Sequence, residues 1–223
     1  NINTSFPQID LLTALPAVAF PVILDATTQP GFFTTPIVTV SGAGIVDGLG
    51  DPIPNVDGLV LGAAADGSTI RGLVLINFSA NGMHVLSDNN VIQTNYFGID
   101  ADAFDTDSSR QSNLASGLLL DNSSGNLIGG SDYVVSGQTV SARNILSGNE
   151  EHGLRITGAG SFNNVVARNY FGVDRTGGRT SFYSFVYNSL AGIRIDNGAH
   201  DNVIGGLTNF DARDSFGNPT IAG

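Results

Sequence analysis

The stretch NNVIQTNYFGID at 89–100 returns as NNVVARNYFGVD at 163–174, 74 positions later. A second pair has nearly the same offset. SGLLLDNSSGNLIGG (116–130) reappears as AGIRIDNGAHDNVIGG (191–206), and between them NGMHVLSDNNVI (81–92) matches HGLRITGAGSFNNVV (152–166). The repeating unit is therefore shorter than 74 residues, and two variants of it alternate. Each unit opens with Gly and three strand residues: Gly58-Leu-Val-Leu, Gly82-Met-His-Val, Gly117-Leu-Leu-Leu, Gly153-Leu-Arg-Ile and Gly192-Ile-Arg-Ile. A polar turn then leads to Asn and two apolar residues, at Asn90, Asn126, Asn164 and Asn202. A third short strand follows in TNYFG (94–98), RNILSGN (143–149) and RNYFG (168–172).

Three short strands per unit, joined by corners, is the pattern of one coil of a parallel β-helix, and a self-similar period of this length is read as stacked units before any other fold. Gly58 to Gly82 spans 24 residues, the bare coil; the later steps of 35, 36 and 39 are that coil plus one loop. Side-chain alternation agrees. One position after the leading Gly stand Leu59, Met83, Leu118, Leu154 and Ile193; three positions after it stand Leu61, Val85, Leu120, Ile156 and Ile195. All are apolar, as a period-2 inward face requires. The residues between them, Val60, His84, Leu119, Arg155 and Arg194, are mixed, as an outward face is. Asn recurs at two corners: Asn90, Asn126, Asn164 and Asn202 at one, Asn95, Asn144 and Asn169 at the other. Stacked strands lie about 4.8 Å apart, the spacing at which side-chain amides bond in a ladder, so these Asn are read as scaffold.

Composition supports the same class. The chain has 223 residues, 29 Gly and 20 acidic residues, of which only Glu150 and Glu151 are Glu; all nine basic residues are Arg. Gly and Asp favour turns, whereas Glu and Lys are common on exposed helices. A net charge of −11 excludes the basic footprint that nucleic acid demands, and anionic membranes are disfavoured for the same reason. No apolar run approaches the roughly 20 residues of a membrane-spanning helix, so membrane insertion is not expected. With no Cys, disulfides, thiolate metal sites and a Cys nucleophile are all excluded.

The segments NVIGG, ARNILSGN, GLRI and NYFGVD resemble the repeats of bacterial extracellular right-handed parallel β-helix proteins, within the pectin-lyase-like superfamily. LPAVAFPVILDATTQPGF (15–32) is similar to the lead-in of that group, so the likeness spans nearly the whole chain. It implies a right-handed, single-stranded parallel β-helix of about seven coils in one domain, 1–223, with 1–36 as N-terminal cap and lead-in and 37–223 as coils. It also implies an extracellular or cell-surface location. The superfamily includes lyases, hydrolases, adhesins and structural modules, and fold alone does not choose among them. Related polygalacturonases use three Asp, two of them adjacent, and related lyases use Arg or Lys as base, often with calcium. This chain has no Asp-Asp pair and no Lys. Its EEHGLRI (150–156) places Arg155 on the outward face of a strand, and no catalytic residue is assigned. The expected function is a non-catalytic structural or adhesive module; the alternative is a polysaccharide-binding or polysaccharide-cleaving protein.

Loops supply the remaining candidates, since loops on a rigid scaffold carry function. Segments 99–116 and 173–190 follow the third strand and leave from one corner, two coils apart; 129–142 and the segment from 205 leave from another. Asp100, Asp102, Asp105 and Asp107 in the first loop are oxygen ligands at close spacing, a candidate calcium site without the EF-hand's fixed Gly and terminal Glu. Phe182, Tyr183, Phe185 and Tyr187 in SFYSFVYN read either as an added strand packing on the barrel or as a patch for glycans or a partner. The three His fall at different repeat positions and read as separate solvated side chains rather than a zinc site. After NVIGG (202–206) the sequence reads as a loop leading into a third strand, so the C-terminal end is expected to be uncapped and open to head-to-tail association with another copy, which gives filaments where the contact does not close.

Overall fold

In the computed structural model, residues 8–101, 111–178 and 186–205 are described. They form 19 strands and one 3-10 turn, Ala26–Thr28, with no α-helix among the described residues. All strands but two belong to three parallel sheets. Sheet I contains β1 (Gln8–Asp10), β3 (Val38–Ser41), β6 (Leu73–Ile76), β9 (Tyr96–Phe97), β14 (Ile145–Leu146) and β17 (Tyr170–Phe171). Sheet II contains β4 (Leu59–Leu61), β7 (Met83–Val85), β10 (Leu118–Asp121), β15 (His152–Thr157) and β18 (Ala191–Asp196). Sheet III contains β2 (Ile23–Asp25), β5 (Thr69–Arg71), β8 (Val91–Gln93), β11 (Leu127–Gly129), β16 (Val165–Ala167) and β19 (Val203–Ile204). The antiparallel hairpin β12 (Tyr133–Val135) and β13 (Gln138–Val140) stands apart. From β3 onward the chain visits sheets I, II and III in turn, and each pass lays its strands beside those of the pass before. The lead-in is itself a pass: β1 pairs with β3, Val18 bridges to Leu61 of sheet II, and β2 pairs with β5.

The duplicated dozen encodes two corners of one pass. Asn89 and Asn163 take φ of 58° and 55°, the left-handed region that Asn tolerates and most residues avoid. Each turns the chain into β8 or β16. Thr94 (φ 58°) and Arg168 (φ 61°) make the next left-handed turn, into β9 or β17. The Asn that follows each of these turns faces inward and bonds to its counterpart in a neighbouring pass. At the corner between sheets II and III, the Nδ2 of Asn90 donates to Asn126 Oδ1 (2.8 Å), Asn126 to Asn164 (2.8 Å) and Asn164 to Asn202 (2.9 Å). Asn95, Asn144 and Asn169 repeat this between sheets III and I, at 3.2 and 2.9 Å. A third ladder stands between sheets I and II: Asn113 Nδ2 donates to Asn149 Oδ1 (3.0 Å) and Asn149 Nδ2 to Asn188 Oδ1 (2.9 Å). Seven of these ten Asn are buried, and a buried polar group is tolerable only when hydrogen-bonded.

The apolar columns pair residue for residue. Leu59, Met83, Leu118, Leu154 and Ile193 are in register across sheet II, as are Leu61, Val85, Leu120, Ile156 and Ile195. Leu61, Met83, Val85, Leu118, Leu120, Leu154 and Ile156 are wholly buried, whereas Ile195 in the last of these strands is 43% exposed. Fully burying one such side chain contributes about 1.5–3 kcal/mol. The leading glycines have a steric cause. A Cβ on Gly82, Gly117 or Gly153 would lie 2.7–2.8 Å from the carbonyl oxygen of the corresponding glycine one pass on. Only a residue without Cβ lets the passes stack this closely.

Insertions leave the corner between sheets I and II in alternate passes, between β3 and β4, between β9 and β10 and between β17 and β18; the hairpin β12–β13 lies between β11 of sheet III and β14 of sheet I. Ile99, Ala101 and Val186 from two of these insertions fold back onto the outer face of sheet I and bury Val74, Ile76, Tyr96 and Ile145 in a second apolar cluster.

Candidate functional site

Two outer surfaces carry chemistry. The first is a strip along sheet II. Outward residues Val60, His84, Leu119, Arg155 and Arg194 form one column in register, and Asp121, Thr157 and Asp196 form the next. Asp57, just before β4, accepts Asn81 N and Nδ2 on one oxygen (2.9 and 2.8 Å) and meets His84 Nδ1 with the other at 2.9 Å. His84 Nε2 faces Asp121 Oδ2 at 3.6 Å, an ion-pair contact rather than a hydrogen bond. The bond to Asp57 raises the His84 pKa above that of a free imidazole, against the opposing effect of burial. Burial works to raise Asp57, but the bonds from His84 and Asn81 outweigh it and hold the carboxyl below its usual range.

Further along the strip, Arg155 Nη2 and Arg194 Nε reach Asp196 Oδ2 at 3.1 and 2.6 Å. The Thr157 hydroxyl first, then the two guanidinium groups, pull the Asp196 carboxyl down to about 2. Two of the three imidazoles thus depart from the solvated expectation. His84 is half-buried between carboxylates from neighbouring passes. His152 is 4% exposed, its pKa is lowered by burial, and its Nδ1 has no hydrogen-bond partner among the described residues. His200 is solvated as expected and stacks on Phe162 with centroids 5.5 Å apart.

The second surface is a cleft of about 320 Å³ at the edge of sheet I nearest sheet III. It is lined by Tyr96 and Ile145 of β9 and β14, by Thr94, by Ser141 and Arg143 after the hairpin, by Thr34 and Thr35 of the lead-in, and by Arg175 and Thr176. The Arg143 guanidinium lies 3.9 Å over the Tyr170 ring, and its Nε donates to Arg168 O at 3.0 Å. Arg175 sits on a turn organised by buried Asp174, whose Oδ1 accepts Thr176 N (2.8 Å), Thr176 Oγ1 (2.6 Å) and Gly178 N (3.1 Å). That turn rests on the same tyrosine: a Cβ on Gly177 would lie 2.9 Å from Tyr170 Oη. Burial pushes the Tyr96 phenol up to about 12, with the nearby arginines working against it, so its hydroxyl stays protonated at neutral pH. Thr94, also in the lining, donates through Oγ1 to Ser141 O and pairs with Tyr133 Oη, both at 2.7 Å, and Arg71 lies 4.2 Å over the Tyr133 ring.

Of the loop candidates, Asp100 lies half-buried at the start of its insertion, and Asp102, Asp105 and Asp107 fall outside the described residues. Among the described residues no group of three His, Asp or Glu is placed to hold a metal ion. Phe182, Tyr183 and Phe185 also fall outside; Tyr187 is exposed, while its neighbour Val186 packs on sheet I. No helix among the described residues is long and apolar enough to cross a membrane. No protein-family model matches the chain, and no curated protein or solved structure matches it either.

Proposed function

We propose that the chain is a right-handed parallel β-helix of the bacterial extracellular kind, serving as a non-catalytic structural or adhesive module at a cell surface or in a secreted protein. The handedness follows from the rule that crossovers between parallel strands of one sheet are right-handed. One observation carries the structural reading. The charged side chains of the sheet II strip are spent on one another: Arg194 on Asp196 within β18, and, across passes, Asp57 and Asp121 on His84 and Arg155 on Asp196. Such pairs staple successive passes instead of waiting for a substrate. The outermost strands favour end-to-end association of copies: Ile9 in β1 and Leu24 in β2 are 51% and 39% exposed, and Ile195 in β18 and Ile204 in β19 are 43% and 45% exposed. Light scattering over a range of concentrations tests this, and a strictly monomeric species at high concentration rejects it.

A second reading, binding or cleavage of a polysaccharide, is favoured by the same strip, because carboxylates, an imidazole and guanidinium groups lie in one line beside the corner insertions. Cleavage by hydrolysis requires an acid and a base or nucleophile carboxylate at a defined separation. Purified protein is incubated with uronate polysaccharides and neutral glycans, with and without calcium. Unsaturated uronate or new reducing ends that disappear in Arg155→Ala or Arg194→Ala overturn the non-catalytic reading; their absence, with intact folding, supports it.

A further inference from the structure

Among the described residues, Arg71, Arg155, Arg168 and Arg194 each pair with an aspartate. Arg143 does not, although the chain carries 20 acidic residues against nine basic ones. Its guanidinium is nevertheless fixed, by the Tyr170 ring beneath it and by the bond from Nε to Arg168 O. A guanidinium anchored through Nε and one face presents its two Nη groups as a rigid fork, the geometry that grips two oxygens of an anion. The opening beside it is lined with further donors: the Thr34, Thr35, Ser141 and Tyr96 hydroxyls, and the Arg175 guanidinium presented by its Asp174-braced turn. Ser141 Oγ accepts from Arg143 N at 3.4 Å and keeps its own proton to donate.

We propose that this cleft is a binding site for a tetrahedral oxyanion, a sulfate or phosphate ester carried by the ligand of the module. The donors come from four separate segments of the chain that line one opening, so an acceptor with three free oxygens satisfies them better than a planar carboxylate. The site concentrates positive charge on a molecule of net charge −11, which makes it selective in position: the anion is repelled elsewhere and held here. A volume of about 320 Å³ accommodates the ester group and the residue that bears it.

The test is isothermal titration of the whole chain with inorganic sulfate and, separately, inorganic phosphate, at ionic strength held constant with chloride. Melting temperature is not the readout, because sulfate stabilises folded proteins by exclusion from their surface whether or not a site exists. Saturable heat is expected with at least one of the two anions, and the one that binds more tightly identifies the ester. Affinity falls at least tenfold in Arg143→Gln and in Arg175→Gln, while Arg194→Gln on sheet II leaves it unchanged. Circular dichroism verifies that each variant is folded; Arg175→Gln, which leaves the Arg143–Tyr170 stacking in place, keeps the test decisive where Arg143→Gln unfolds. No saturable heat with either anion overturns the proposal. So does an equal loss in Arg194→Gln, or saturable binding of polygalacturonate alone.

Discussion

Replacing Asn126 by Ala removes the central rung of the longest amide ladder. Asn126 is fully buried; its Oδ1 accepts the Asn90 backbone N–H (2.9 Å) and Nδ2 (2.8 Å), and its Nδ2 donates to Asn164 Oδ1 (2.8 Å) and Ser123 Oγ (3.2 Å). Not all of these losses weigh equally. Asn90 Nδ2 keeps Ser87 O and Oγ, and Asn164 Oδ1 keeps the Asn126 backbone N–H. The Asn90 backbone N–H keeps nothing, in a site closed to water. An orphaned buried donor costs about 1–3 kcal/mol, and each remaining net hydrogen bond lost adds about 0.5–1.5 kcal/mol. With three such bonds lost beside the orphaned donor, the sum is about 2.5–7.5 kcal/mol, a large part of the 5–15 kcal/mol that typically holds a domain folded. Asn202→Ala is the internal comparison. It removes the half-buried outermost rung, where water can replace what is lost, and is expected to cost about 1 kcal/mol. Urea unfolding followed by far-UV circular dichroism measures both. Equal costs at the two positions, or a loss below about 1 kcal/mol for Asn126→Ala, would show that the ladder does not hold the passes together.

Other outcomes follow from single contacts. Gly117→Ala places a methyl 2.8 Å from Gly153 O and Asn149 Nδ2 and 2.9 Å from Phe97 Cβ, and is expected to destabilise by about 1–3 kcal/mol in the same urea assay. Gly48→Ala, which meets nothing within 4 Å, should stay within about 0.5 kcal/mol. The His84 pKa is raised in the folded state, so its contribution is fully present below about pH 6.5 and is lost as pH rises through the folded value. The stability gap between the native chain and His84→Gln should therefore shrink between pH 5.5 and pH 9, with His152 common to both; a gap that widens with pH contradicts the Asp57 pairing. Calcium bound by Asp100, Asp102, Asp105 and Asp107 would appear calorimetrically as heat weakened by Asp102→Asn plus Asp105→Asn; no heat at millimolar calcium leaves that loop a solvated acidic segment.

Much of the scaffold is legible in the sequence because its causes are local and periodic. The inward columns of sheet II follow from alternation after each leading Gly, and they pair in the register that alignment predicts. Two Asn corners are legible from the duplicated dozen. The third, Asn113, Asn149 and Asn188, is written just as regularly, four residues before Gly117, Gly153 and Gly192, but two of its members lie inside insertions of unequal length, and Phe78 replaces Asn before Gly82. Why two Asn stand together at 89–90 and 163–164 required dihedral angles: the first makes the left-handed turn and the second makes the ladder. The surface chemistry was beyond reach for another reason. Periodicity turns His84 outward, but its two carboxylates come from different passes, and the Arg143 cleft gathers residues scattered between Thr34 and Thr176. No local motif records such a meeting.

The central claim is the register in which successive passes stack, and cysteine crosslinking reads it directly because the chain contains no Cys of its own. Leu119 lies opposite Arg155 on neighbouring strands of sheet II, and Arg194 lies opposite Arg155 one pass further on. Leu119→Cys with Arg155→Cys puts the two Cα atoms about 4.8 Å apart, within disulfide range, whereas Leu119→Cys with Arg194→Cys separates them by roughly 9.6 Å. Mild oxidation followed by gel mobility and peptide mapping should give a rapid intramolecular 119–155 disulfide and none between 119 and 194. A fast 119–194 bond, or none at 119–155 in a folded protein, would contradict the stacking of these passes.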